Sequence, residues 1–283
     1  MLGRNQHPLA FAASAVVPGS RAQALKSLKV CGVTSAEDAT WILETIQRRL
    51  SVQVWIGCVL WPHSRRCVSV REARDIAAAV LETAAKLGTP ARTVAVFVDE
   101  DLSRIRQVCT DASINVAQLH GSLDWQEHVL RAMDSWPSWL DYARVLRPDE
   151  AAQEPSKRAI TTADGRPPCY TLIDPGRGDG KPFDWRKFSN ERVLGPDPGL
   201  WMIAGGLHAG NVVEAVRVTN APGVDVASGV EVSTDGRRKH ESGEGSADAY
   251  PQHSGRVYRP RKDPARLEAF LDALCSVYGG RMI

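Results

Sequence analysis

The sequence predicts an α/β protein of the (β/α)8 TIM barrel class, and three observations carry that expectation. Short apolar runs alternate with amphipathic segments along most of the 283 residues, and parallel strands need such crossovers. Eight strand candidates can be counted, enough for a parallel sheet to close and lose its edges. The length is also close to the ~250 residues typical of this architecture. An open doubly wound sheet is the structural alternative. It usually carries a Gly-x-Gly-x-x-Gly turn after its first strand, where this chain reads Cys31-Gly32-Val33-Thr34.

The elements follow in order. Residues 28–31 form a first strand, and Ser35 caps a helix to about residue 50. A second strand spans 52–60, with an Ala-rich helix over 70–87. Strand 93–98 precedes helix 102–110, and strand 115–119 precedes helix 125–133. Weaker strand signals lie at 141–146, 170–174, 200–204 and 223–226. The last helix, 264–278, carries Leu267, Phe270, Leu271 and Leu274 on one apolar stripe. The polar, Pro-rich stretch 149–168 does not favour a helix.

Residues 27–283 therefore read as one barrel, interrupted between its last strand and last helix by a low-complexity insertion at 232–262. That insertion is dense in Gly, Ser, Asp and basic residues and reads as a solvated loop. Its run Arg237, Arg238, Lys239, His240 reads as a solvated face. Residues 1–26 read as a disordered N-terminal extension. No acidic residue precedes Glu37, a composition that organellar transit peptides share. The expected location is the cytoplasm, or a plastid or other organelle if the extension is such a peptide.

Composition narrows the function classes. Hydrophobic residues make up 43% and charged residues 24%, as in soluble globular proteins. A formal net charge of +2 is too near neutral to imply a nucleic-acid surface. No apolar run approaches the ~20 residues that span a bilayer. The six cysteines show neither a Cys-x-x-Cys pair nor zinc spacing, and they read as reduced thiols.

In such barrels the reacting groups lie at the C-terminal ends of the strands. That rule selects Cys31, Arg65 and Arg66, Asp99, His120, Asp174, Gly205-Gly206 and Ser228-Gly229. Three glycine loops (Gly176, Gly178 and Gly180; Gly205 and Gly206; Ser228 and Gly229) let backbone N–H groups approach an anion. The loops after strands seven and eight are the usual barrel phosphate site, so a small phosphorylated ligand is expected; ordinary tight turns are the alternative.

Lys29 and Cys31 share one strand face and can both point into the barrel. A nearby ammonium favours thiolate, making Cys31 a candidate general base; the alternative is a buried core thiol. Asp174 can donate a proton if burial or a neighbouring anion keeps it protonated; otherwise it caps the next loop. Arg66 and Arg65 sit where a guanidinium could hold a carboxylate, with one of the two expected on the surface. His120 follows Gln118 by the strand period, so both can face the mouth, unless the histidine is structural. Asp99, with Glu100 and Asp101, reads as the acidic first turn of a helix, although it could also serve as an acid.

Taken together these residues resemble the phosphoribosylanthranilate isomerase family, from Leu28 to Glu231 and again from Lys262 into the last helix. The matching segments begin with Lys29-Val30-Cys31-Gly32-Val33-Thr34, Glu37-Asp38-Ala39 and Ser64-Arg65-Arg66-Cys67-Val68-Ser69. Val96-Phe97-Val98, Gln118-Leu119-His120-Gly121, Leu172-Ile173-Asp174 and Phe183-Asp184-Trp185 follow. Ala204-Gly205-Gly206-Leu207, Asn211-Val212 and Gly223-Val224-Asp225-Val226-Ala227-Ser228-Gly229-Val230-Glu231 complete the set. Each is weak alone; the ordered set is specific.

The resemblance implies an Amadori rearrangement in tryptophan biosynthesis, with Asp174 matching the family's general acid and Cys31 its general base. Arg66 matches the ligand of the anthranilate carboxylate, and the glycine loops match the phosphate site. No metal or organic cofactor is implied, and a monomer or homodimer is expected. Three positions depart from the family pattern. The phosphate loop, usually Gly-Gly-Ser/Thr-Gly, reads Arg177-Gly178-Asp179-Gly180; Cys67 replaces an aromatic residue; and Ala227 replaces serine or glycine. Another sugar-phosphate barrel enzyme and a noncatalytic phosphate-binding barrel are the competing readings.

Overall fold

The computed structural model describes residues 24–131, 137–151, 161–162, 164–175, 185, 199–232 and 259–278. Within them eight strands form a closed parallel barrel in chain order. They are β1 (Ser27–Cys31), β2 (Gln53–Val59), β3 (Ala91–Phe97), β4 (Val116–Leu119), β5 (Asp141–Leu146), β6 (Tyr170–Ile173), β7 (Trp201–Ile203) and β8 (Gly223–Val226). Pairing of β8 with β1 closes the ring and sets Lys29 opposite Asp225, while β1 against β2 sets Cys31 opposite Gly57.

Local chemistry accounts for the helix boundaries. Helix α1 (Ala36–Arg49) is capped by Ser35, whose hydroxyl accepts from the Asp38 N–H. Its first turn is acidic (Glu37, Asp38) and its last basic (Arg48, Arg49), both favourable for the helix dipole. Helix α2 (Val70–Leu87) opens on a reciprocal capping box between Ser69 and Glu72 and stops at Gly88, whose φ of +60° ends it. The last helix runs Pro264–Tyr278 and buries the expected stripe of Leu267, Phe270, Leu271 and Leu274.

Several expectations need correction. Helix α3 (Leu102–Asp111) starts after the acidic triplet, so its first turn holds no carboxylate; Asp101 is its N-cap without a side-chain bond. Asp99 sits before it in the left-handed region, at φ +49°. A four-residue helix, Pro148–Ala151, forms where none was favoured, because Glu150 accepts from both the backbone and the guanidinium of Arg147. A helix over Val212–Thr219, which the apolar pattern alone did not delimit, follows β7.

The strands bury both faces. Leu28, Val30, Val54 and Ile56 pack outward under the helices, and Trp55, Val94, Val96, Val116, Ala143, Val145, Tyr170, Leu172 and Met202 fill the interior. Trp55 meets Tyr170 edge-on at 4.9 Å and donates its indole N–H to the Ser27 hydroxyl at 2.6 Å. The barrel is thus packed through its middle, which leaves its C-terminal end for chemistry.

Residues 1–23 and 233–258, including the Arg237 to His240 run, lie outside the described residues. Leu25 is already buried, and the Lys26 N–H donates to the Pro222 carbonyl at 2.7 Å. The far boundary of the insertion falls on a core residue: Lys262 is only 4% exposed and bridges Glu231 in antiparallel fashion. Solvated loop therefore does not extend to Lys262. Among the described residues no helix is long and apolar enough to cross a membrane, and all six cysteines are free.

Candidate active site

Strand alternation brings Lys29 and Cys31 to the barrel interior, as their spacing predicts. Lys29 is fully buried, and its Nζ donates to Asp225 Oδ2 at 3.1 Å. Burial alone would lower the lysine's pKa, but the Asp225 carboxylate and the Cys31 sulfur beside it outweigh burial and hold it above the ordinary lysine range. The ammonium therefore stands charged between Cys31 and Asp225. Cys31 is half-buried, whereas Cys58 and Cys109 are fully buried. Burial pushes the Cys109 thiol up to about 12 and raises that of Cys58 as well. Opposite Cys31, Gly57 keeps the space open: a Cβ there would lie 2.9 Å from Cys31 Sγ and 3.3 Å from Lys29 Cε.

Asp174 follows β6, and its N–H donates to the Leu146 carbonyl at 3.0 Å. Burial raises the pKa of Asp225; Lys29 opposes this, and the charge of Asp174 adds to it. Asp225 belongs to no short sequence motif with Cys31. Its strand-face position in the barrel register is the only signal that could have found it.

Arg66 lies against the turn after β1. Gly32 adopts φ +70°, and a side chain there would collide with Arg66 Cδ. Its guanidinium is largely buried; Nε donates to Glu231 Oε1 at 2.5 Å and Nη2 to Oε2 at 3.1 Å. Arg65 is half-exposed, as expected for one of the pair, yet it also reaches Glu231 Oε2 at 2.8 Å. Burial favours the neutral form of Glu231, but Arg66, Lys262 and Arg65 outweigh it and hold the carboxyl below the usual glutamate range. Lys262 Nζ meets the carbonyls of Cys31 at 2.6 Å and Ala227 at 3.0 Å, and Glu231 Oε1 at 3.3 Å.

His120 is partly exposed at the end of β4. The buried Tyr170 hydroxyl donates to Gln118 Oε1 at 2.9 Å, which turns the Gln118 amide nitrogen toward His120 Nδ1 at 3.5 Å.

Of the glycine loops, Gly178 and Gly180 lie outside the described residues. Gly205 and Gly206 both take positive φ, +91° and +64°. Ser228 begins a single 3-10 turn, Ser228–Val230. Gly229 abuts the Leu207 carbonyl so closely that only glycine fits. Gly206, Ser228 and Gly229 line a cavity of about 380 Å³ together with His208, Gly210 and Arg266. The backbone N–H groups of Gly206, Ser228 and Gly229 donate to no acceptor among the described residues.

A family profile described as N-(5'-phosphoribosyl)anthranilate (PRA) isomerase matches residues 28–241. The chloroplastic N-(5'-phosphoribosyl)anthranilate isomerase 1 of Arabidopsis thaliana is 30% identical over 217 residues, covering 76% of this chain and 70% of the relative. The isomerase of the same name from Paracoccus denitrificans is 33% identical over 209 residues, 72% of this chain and 88% of its own. In fold, a phosphoribosyl anthranilate isomerase from Thermus thermophilus superposes with a TM-score of 0.60 at 23% identity, covering 88% of this chain and 98% of its own.

Proposed function

The chain belongs to the phosphoribosylanthranilate isomerase family, and from that premise we propose that its barrel mouth converts N-(5'-phosphoribosyl)anthranilate with Asp174 as general acid and Cys31 as general base. Asp174 protonates the ribose ring oxygen, and the C1′–O bond breaks as the anthranilate nitrogen forms a Schiff base. Cys31 then takes the C2′ proton to give the enol amine. Tautomerisation, in which C1′ gains a proton and the C2′ hydroxyl loses one, yields 1-(2-carboxyphenylamino)-1-deoxyribulose 5-phosphate. Only protons move, so the steps balance without an oxidant.

The observation that carries this reading is the buried Lys29, which donates to Asp225 at 3.1 Å and shares the space beside Gly57 with the Cys31 sulfur, because it gathers a thiol, an ammonium and a carboxylate inside the barrel where proton transfer is needed. Arg66, packed beside Cys31, supports recognition of the anthranilate carboxylate. His120, partly exposed after β4, offers its ring to the substrate. Gly205, Gly206, Ser228 and Gly229 offer backbone donors for the phosphate, and Gly178 and Gly180 complete the set, in a loop where Asp179 would repel the phosphate unless Arg177 or Lys181 compensates. Free thiols fit a reducing compartment, cytoplasm or plastid, and the enzyme works as a monomer or homodimer.

A bacterial strain lacking its own phosphoribosylanthranilate isomerase should grow without tryptophan when it expresses this chain. Failure to grow, with folded protein present in the cell, would count against the reading.

A further inference from the structure

We propose that Glu231 is a positioning residue for the carboxylate end of the site and that Lys262 anchors it there; this rests on reading Arg66 as the carboxylate ligand. A guanidinium recognises a planar anion well only if its own plane is held. Glu231 takes the Nε–H and one Nη2–H of Arg66, which fixes that plane and leaves the Nη1 side for a ligand. The side chains of Arg66, Glu231 and Lys262 are 12%, 4% and 1% exposed, so water screens these charges little.

The charges in this cluster do not cancel. Arg65, Arg66 and Lys262 surround the single carboxylate of Glu231, whereas Lys29 and Asp225 balance one another. The excess is positive, and it lies beside Cys31. Without the Glu231 charge the three cations would repel one another and Arg66 would lose the plane in which it meets a carboxylate.

Lys262 makes the arrangement rigid. An ammonium has three donors, and three acceptors receive them: the Cys31 carbonyl at the end of β1, the Ala227 carbonyl after β8, and Glu231. The Glu231–Lys262 bridge also closes the chain across residues 233–258, backed by the Val232 N–H donating to Arg261 O at 3.0 Å and the Asp263 N–H to Val230 O at 2.8 Å. Arg261 pairs with the buried Asp38, and Arg259 with Glu72. The return of the chain is therefore stapled to the barrel, and the carboxylate end of the site is insulated from the length of the insertion.

Glu231→Gln keeps the shape and removes the charge. It should raise KM about tenfold, the equivalent of about 1.4 kcal/mol, with a far smaller change in kcat. Calorimetry should show the same loss for reduced 1-(2-carboxyphenylamino)-1-deoxyribulose 5-phosphate and no loss for inorganic phosphate, which lacks the carboxylate. Glu231→Asp, which keeps the charge, should lose less than the Gln variant and serves if the latter folds poorly. Equal affinity of the reduced product for wild type and Glu231→Gln would overturn the proposal, as would a parallel loss of both ligands. Wild type binding the reduced product no better than phosphate would instead overturn the underlying role of Arg66.

Discussion

Replacing Cys31 with alanine is expected to lower kcat by about a thousandfold, within the range a positioned proton-transfer group contributes, while the reduced product still binds. The fold should tolerate this change. What holds the surroundings is the Cys31 backbone: its carbonyl accepts from Lys262 and its register pairs with Gly57. Alanine keeps both, and it leaves the Lys29–Asp225 pair in place. Steady-state fluorescence gives the rate and calorimetry the affinity. An unchanged kcat would remove Cys31 as the base, and lost binding with lost melting would show its role to be structural.

Lys29→Met should have the largest effect on stability. It leaves Asp225 buried without its cation, and removing one partner of a buried ion pair typically costs about 3–5 kcal/mol. Asp225 already has its pKa raised by burial despite Lys29, with Asp174 adding to the effect; loss of the lysine raises it further. A carboxyl with a raised folded pKa destabilises most when ionised, so the deficit should be greatest near neutral pH and shrink on acidification. Urea unfolding of both proteins at pH 7.5 and 5.5 measures it. The double variant Lys29→Met with Asp225→Leu should recover most of the loss. A deficit independent of pH would mean that packing, and not the stranded carboxylate, dominates.

These two residues also show how far the sequence could be read. The two-residue strand period placed Lys29 and Cys31 on one interior face, and the structure has them there. Counting strand–helix units led to the closed barrel, with β5, β8, α2 and the last helix within the predicted bounds. What escaped were contacts across the ring. Lys29 and Asp225 lie 196 positions apart, and Arg66 and Glu231 lie 165 apart. No local spacing encodes such pairs; only closure of β8 onto β1 creates them.

Lys262 was hidden for another reason. Composition averages a segment, and the polar, basic stretch ending at Lys262 reads as solvated, yet this one ammonium has three buried acceptors. The acidic triplet at 99–101 misled because it ends at the N-cap: the helix opens at Leu102, as its apolar pattern indicated, so none of the three carboxylates falls in the first turn. Glu231 stood in a recognised motif without a role because its partners follow β2 and the insertion.

The most direct test of the central claim is the fluorescence decay of freshly prepared N-(5'-phosphoribosyl)anthranilate mixed with the purified chain, run beside Asp174→Asn. The account predicts rapid loss of the substrate signal with the wild type and, from the size of acid–base contributions, a rate at least about a hundredfold lower for the variant. No loss with folded wild-type protein, or equal rates for the two, would contradict it.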